Sequence, residues 1–359
     1  MHIDDRDTPQ AATHDAPPRA PAAVSAGVHL VMLAPRLCAL HAATLRASPA
    51  LARLAALATH RRDDAGIDAA LVDILGVADA RAAATMARGA GIDTHGAHWL
   101  VADPVTLVAG IDDVTLAAHV GDLDNDALAG IVARLDAHFA ADGIAFVAAH
   151  RDRWYARMRE PAQMTTRPTD AAIGGSLYAN RPRGPDARRF ERFANEMQML
   201  LHAAPENAAR EATGIAPCNG VWLWDVAAAD PVGGARVTAL TAAGSAGDLA
   251  RGMAMATGGE VRTLGIAAVP EALGTALGSP APAATHIVIA LAPVTPATFG
   301  DVDASVLAPA VGALRTARVA SLTLVADGNA THRWHATPPR AWQRVAAAWR
   351  RVPFVVAGE

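Results

Sequence analysis

The chain contains no lysine, and all 31 of its basic residues are arginine. With alanine so abundant, this points to the coding bias of a GC-rich genome rather than to a physical requirement. One chemical consequence is direct: no phosphate-cradling G-x-x-x-x-G-K loop exists, and no G-x-S-x-G nucleophile elbow occurs either. Ser25 and Ser176 have no His or Asp partner at an informative spacing, so nucleophilic catalysis has no positive support. Cysteine is nearly absent. Cys38 and Cys218 stand far apart, in neither metal nor redox spacing, which predicts buried thiols in a reducing compartment and no disulfide. No run of eighteen or more uncharged apolar residues is present, so no membrane-spanning helix is expected. The first 26 residues combine Asp4, Asp5, Asp7 and Asp15 with Pro9, Pro17, Pro18 and Pro21. They lack the basic and apolar regions of a secretory signal and read as a flexible tail, and the expected location is cytoplasmic.

A basic surplus is missing as well. The net charge is −4, and the two Arg-rich stretches, Arg181 to Arg192 and Arg340 to Arg351, are interspersed with acidic or apolar residues. Both read as solvated helix faces, and neither a nucleic-acid nor a membrane partner is expected. Nothing in the sequence names a protein partner. Metal-ligand spacing is equally sparse. His95 and His98 beside Asp93 have no supporting second pair, His332 and His335 have none, and Asp122, Asp124 and Asp126 lack the Gly and Glu of a calcium loop. No metal or other cofactor is therefore expected.

What is present is an ordinary globular composition, 52% apolar and 18% charged over 359 residues, enough for one large core or two modest ones. Val28–Leu33 reads as a buried strand, followed after Pro35 by a helical stretch to about His60. Residues 61–98 are Ala-rich and helical in tendency. From Trp99 the pattern changes to strands near Val105–Val108 and Val114–Ala118, a helix capped by Asp124, and strands around Ile144–Ala148 and Trp154–Met158. This order predicts a small α+β insertion over 99–165, between a first part of the core (27–98) and its remainder (166–359). The final third alternates strands (Val237–Leu240, Ile266–Val269, His286–Leu291, Leu322–Ala326) with helices after Asp248 and from about Val302 to Arg315. A terminal helix with Trp342, Val345 and Trp349 at core spacing follows Trp334. Such alternation predicts an α/β fold with a largely parallel sheet flanked by helices.

The richest segment runs from Gly184 to Trp224. Pro185 opens a helix whose Phe190, Phe193, Met197 and Leu200/Leu201 share a core face. The polar set Asn207, Arg210 and Asn219 then precedes the apolar strand Val221–Trp224. An Arg fork between two amides suits a phosphate or carboxylate, so these three residues are candidate ligand contacts, with Arg153 of the Arg153–Trp154–Tyr155 run as a fourth from the insertion. The alternative is that they hydrogen-bond buried loop backbone. Trp222 and Trp224 read as core.

The pattern H-x-x-P-x-N-x-x-R-x-x-x-G-x-x-P-x-N-x-x-W-x-W, from His202 to Trp224, resembles a segment of archaeal-type, cofactor-independent phosphoglycerate mutases. It is more similar still to bacterial proteins of the RpfE-type regulatory family. Trp99–Val105, Asp142 to Tyr155, and Leu322–Asp327 fit the same family in the same order. The resemblance implies an alkaline-phosphatase-like core, and in the mutases two divalent metals held by Asp and His with a Ser carrying the phosphoryl group. This chain departs from that pattern. Val28–Leu33 runs into Ala34-Pro35 where the family has a metal-binding Asp-Gly, and Asp327-Gly328-Asn329 lacks the His of Asp-His-Gly-Asn. Ala204 and Glu206 stand where His and Val are usual, and Asp225 where Gly is usual. The expectation is a non-catalytic regulatory or ligand-sensing relative of the mutases, taking a phosphorylated or carboxylate small molecule. The alternative is an active metal-dependent phosphoglycerate mutase or related phosphoryl-transfer enzyme.

Overall fold

The computed structural model describes residues 27–76, 81–111, 113–226, 235–279 and 284–339. The expected tail (1–26) and the expected terminal helix with Trp342, Val345 and Trp349 lie outside the described residues. The first half of the chain forms β1 (Gly27–Ala34), α1 (Ala42–Ala47), α2 (Pro49–Leu57), β2 (Thr59–Asp63), α3 (Ile67–Leu75), α4 (Ala82–Gly89), β3 (His98–Ala109), β4 (Val114–His119), α5 (Asn125–Phe139), β5 (Ile144–Val147) and β6 (Trp154–Met158). The second half forms α6 (Thr169–Ala172), α7 (Ala187–His202), α8 (Pro205–Ala212), β7 (Gly220–Trp224), β8 (Arg236–Thr241), α9 (Asp248–Ala256), β9 (Val261–Thr263), α10 (Val269–Gly278), β10 (Ala284–Ala290), α11 (Phe299–Val302), α12 (Ala308–Arg315), β11 (Ser321–Asp327) and β12 (Thr331–Ala336).

The fold is α/β, built on a seven-stranded sheet ordered β2-β12-β11-β1-β10-β8-β9. The run from β11 to β9 is parallel, while β12 and β2 add antiparallel at one edge. Helices cover both faces, which is why the central strands read as continuous apolar runs. Along β1, Leu30 and Met32 pack into the layer with α2, α10 and α12, whereas Val31 and Leu33 pack into the layer with α3, α4 and α9. Helices α4 and α9 cross closely because Gly89 and Gly252 lie at the crossing: a Cβ on either would collide with backbone of the other helix.

A second, five-stranded sheet has the order β4-β3-β6-β5, with β7 paired to β3. Its twelve-residue strand β3 meets β6 at His98–Ala102, β7 at Val101–Val105 and β4 at Val105–Ala109, all antiparallel. Helices α5 and α7 cover it through Leu135, Phe139, Phe193, Met197 and Leu201. Asp124 caps α5 as expected, accepting from Ala127 N at 2.8 Å.

Several elements differ from the sequence reading. The smaller sheet takes in more than 99–165, because β7 pairs with β3 and α7 packs on the same sheet; the apolar face of α7 marks it as buried but not against which sheet. Residues 266–269 are not a strand. A 3-10 turn at Ile266–Ala268 leads into α10, and the strand is β9, since a four-residue apolar run does not distinguish a strand from a buried helix start. Strand β2, Thr-His-Arg-Arg-Asp, reads as no strand at all because it is a charged edge. Trp334, 2% exposed, sits inside β12.

Candidate functional site

In open α/β sheets, ligands bind beyond the carboxyl ends of the parallel strands. At that edge of this chain the smaller sheet packs against the larger one, through an apolar cluster that includes Trp99, Val101, Tyr155 and Trp224 and through a set of ion pairs. Arg153, immediately before β6, is the centre of the junction. Its NH1 donates to Asp68 Oδ2 at 2.9 Å and its Nε to Asp103 Oδ1 at 3.2 Å, while its guanidinium lies 5.4 Å over the ring of Trp224. Asp68 comes from the first turn of α3, Asp103 from the middle of β3 and Trp224 from the end of β7, so three elements distant in sequence meet on one side chain.

Asp103 is fully buried and accepts three further approaches. Thr169 Oγ1 donates at 2.5 Å and Trp224 Nε1 at 2.8 Å, both to Oδ2. His119 Nε2 lies 3.5 Å from the same oxygen, an ion-pair distance rather than a hydrogen bond. Burial pushes the Asp103 carboxyl up, but Arg153 and His119 outweigh it and hold the group well below the usual range. Asp68 responds the other way. Burial raises it and Arg153 compensates only in part, because Asp103 and Asp248 are close enough to oppose its charge.

A second buried carboxylate, Asp248, opens α9 at the end of the loop after β8. Tyr155 OH donates to Oδ2 at 2.6 Å, His150 Nε2 is 3.0 Å from Oδ1, and Arg251 NH2 donates to Oδ1. Burial first and Asp248 second push the Tyr155 phenol well above its ordinary range, so it stays protonated and acts only as a donor. Ser245 Oγ to Asp152 Oδ2 at 2.6 Å closes the same seam.

A third group lies between α3 and the end of β11. Asp170, from α6, accepts from Ile67 N at 2.9 Å through Oδ2 and from Ala171 N at 2.9 Å through Oδ1. This contact needs Gly66, which has φ +87° and would drive any Cβ into the Asp170 carboxylate. Desolvation of the carboxyl and the neighbouring Asp68 raise it to about 7, although Asp170 as a whole is exposed. Asp327 accepts from Arg36 N and is raised by its own burial. Cys38, packed against Gly328, is pushed to about 12 by burial and Asp327, so its thiol is no nucleophile near neutral pH.

The residues singled out in the sequence divide between two places. Asn207 is buried and donates through Nδ2 to Leu201 O at 2.8 Å and Cys218 O at 2.9 Å, while its Oδ1 accepts from Cys218 N at 2.8 Å. Asn219 brackets one residue of β3, accepting from Leu107 N at 2.7 Å and donating to Leu107 O at 2.9 Å. Arg210 donates to Ala216 O at 2.9 Å and to Asp122 at 2.7 Å. These three brace the loop between α8 and β7. Arg153 is in the junction, apart from them. Asp225, the departure from the family's Gly, accepts from Arg81 Nε at 2.7 Å and Ala83 N at 2.8 Å and so holds the start of α4.

Asp68, Asp103, Thr169, Asp170, Asp248 and Arg251 were not among the sequence candidates. One signal was available, since Asp103 interrupts an otherwise apolar strand, and a buried charge of that kind needs a partner. The two divalent metals that the mutase resemblance implies do not fit these side chains. Most of the carboxylate oxygens are taken up by Arg153, Thr169, Trp224, Tyr155, Arg251 and backbone amides, and among the described residues no group of three or more His, Cys, Asp or Glu could hold a metal ion. Among the described residues no helix is long and apolar enough to cross a membrane.

No protein-family model and no curated protein matches the chain. Among solved structures, a cofactor-independent phosphoglycerate mutase from Thermoplasma acidophilum DSM 1728 is similar at 14% identity and a TM-score of 0.40, covering 86% of this chain and 89% of that one. A protein from Pyrococcus horikoshii is similar at 14% identity and a TM-score of 0.44, covering 88% of each chain. Both are distant likenesses, and neither carries an argument about the chemistry of this chain.

Proposed function

We propose that this chain is a phosphoglycerate-mutase-like protein without phosphoryl-transfer chemistry, acting as a non-catalytic regulatory or ligand-sensing protein. The observation that carries this reading is Arg153. Where a two-metal mechanism needs open carboxylates around cations, this chain puts a guanidinium between Asp68 and Asp103 and holds both. Ala34-Pro35 at the end of β1 supplies no further ligand. In this reading Arg153 locks the two sheets together, and Asn207, Arg210 and Asn219 keep the α8–β7 loop rigid rather than contacting a ligand directly.

The test is elemental analysis of purified protein together with a mutase assay in added manganese or magnesium. The expected result is no stoichiometric metal and no turnover. About two metals per chain, the number a two-metal clamp requires, or turnover that depends on added metal, overturns the reading and favours an active phosphoryl-transfer enzyme.

A further inference from the structure

At the opposite edge of the large sheet, where its parallel strands begin, lies a cavity of about 550 Å³, within the range of small-molecule sites. The strand register builds it. His29 of β1 is level with His286 of β10 on one side and Ser321 of β11 on the other; Thr323 is level with His335 of β12, and Arg333 with Arg61 of β2. Since side chains alternate along a strand, this register sets histidines, hydroxyls and two arginines from five adjacent strands around one space, with Ile74 of α3 closing it. No Asp or Glu is among the described residues that line it. Asp73 lies beyond, on Arg61 at 3.3 Å and Arg333 at 2.7 Å.

Most of these polar groups have protein partners. His29 Nδ1 is 2.8 Å from Ser321 Oγ, and His335 Nδ1 is 2.9 Å from Thr323 Oγ1. His286 has none. Only 5% of it is exposed, its ring stacks on that of His29 with centroids 5.2 Å apart, and neither Nδ1 nor Nε2 has a hydrogen-bond partner. A buried imidazole with two unmet nitrogens on a cavity wall is costly to the fold unless something binds there. A metal ion does not meet the need, because these histidines do not converge as a ligand set. A donor-rich lining with two arginines and no carboxylate selects an anion.

We propose that this cavity binds a small molecule bearing a phosphate or carboxylate group, with His286 as the buried contact and Arg333 and Arg61 supplying the charge. The site lies at the amino edge of the strands and is independent of whether the carboxyl edge catalyses. The experiment is calorimetric titration of the full chain with inorganic phosphate and, separately, with malonate, alongside NMR of the imidazole signals. Saturable binding of either probe that moves the His286 resonance supports the site, and the preferred probe distinguishes phosphate from carboxylate chemistry. His286→Leu removes the unmet nitrogens, so it should raise Tm while weakening binding by about tenfold or more, and Arg333→Gln should weaken binding similarly. The NMR response of the unmodified chain decides the matter even if a variant fails to fold. No binding of either probe up to on the order of tens of millimolar, or binding unchanged in both variants, overturns the proposal.

Discussion

Replacing Arg153 with methionine tests the junction most directly. The stem of the side chain is kept and the guanidinium is lost. Asp103 would retain Thr169 and Trp224 as donors, but the ion pair with Arg153 is the closest polar contact of Asp68, whose side chain is 12% exposed. Removing one member of a buried ion pair typically costs about 3–5 kcal/mol, because the remaining charge is left without compensation, and we expect a loss of that order at neutral pH. The stacking over Trp224 adds to the loss rather than offsetting it. The sign of the pH dependence follows. In the native chain Arg153 holds the Asp103 carboxyl low, a contribution present above the ordinary carboxylate pKa and lost as pH falls below it. Without Arg153 both carboxyls rise, so the deficit of the variant should shrink as pH is lowered toward about 4 and both groups protonate. Urea unfolding of the two proteins across that range measures it. A second variant, Arg153→Met with Asp68→Asn, should recover part of the lost stability, since contacting residues are not additive. A loss below about 1 kcal/mol, or a deficit independent of pH, refutes the assignment of Arg153 as the counter-ion of the junction.

Asp170, raised from 3.8 to about 7, binds its proton more tightly in the folded chain, so its contribution is full at acid pH and is lost as pH rises through 7. Asp170 is exposed, so solvent screens much of this effect, and the stability of Asp170→Asn relative to the native chain should climb modestly between about pH 4 and pH 7 and level off above; a difference flat with pH contradicts the assignment. Asn207→Ala removes the side-chain partners of the buried Cys218 carbonyl and amide, while Leu201 O keeps the Ala204 amide, and should cost about 2–3 kcal/mol, with Asn219→Ala at about 1–2 kcal/mol, in chemical denaturation. Neither change should alter the response to phosphate or malonate, and loss of that response in either variant would show that these amides belong to a ligand site.

The parts of this protein that were legible in its sequence are those fixed by local pattern. Strands β1, β8, β10 and β11 stand out because a parallel strand buried on both faces must be apolar throughout, and α5 stands out by its Asp124 cap and the spacing of Ile131, Leu135 and Phe139. Those two signals determine an α/β fold with a largely parallel sheet. The edge strand β2 and the assignment of β7 to the smaller sheet were not legible, since a charged edge has no apolar alternation and a buried strand does not name its neighbour.

The site was less legible still, and for the same reason. Arg153 meets Asp103 fifty residues away and Asp68 eighty-five residues away, and Tyr155 meets Asp248 across ninety-three. An isolated Asp or Arg in the sequence carries no record of the partner that will neutralise it. Hydrophobic periodicity is a property of a single element and survives in one dimension. Ion pairing and the strand register that aligns His29 with His286 depend on which elements become neighbours, and that was decided only when the two sheets packed together.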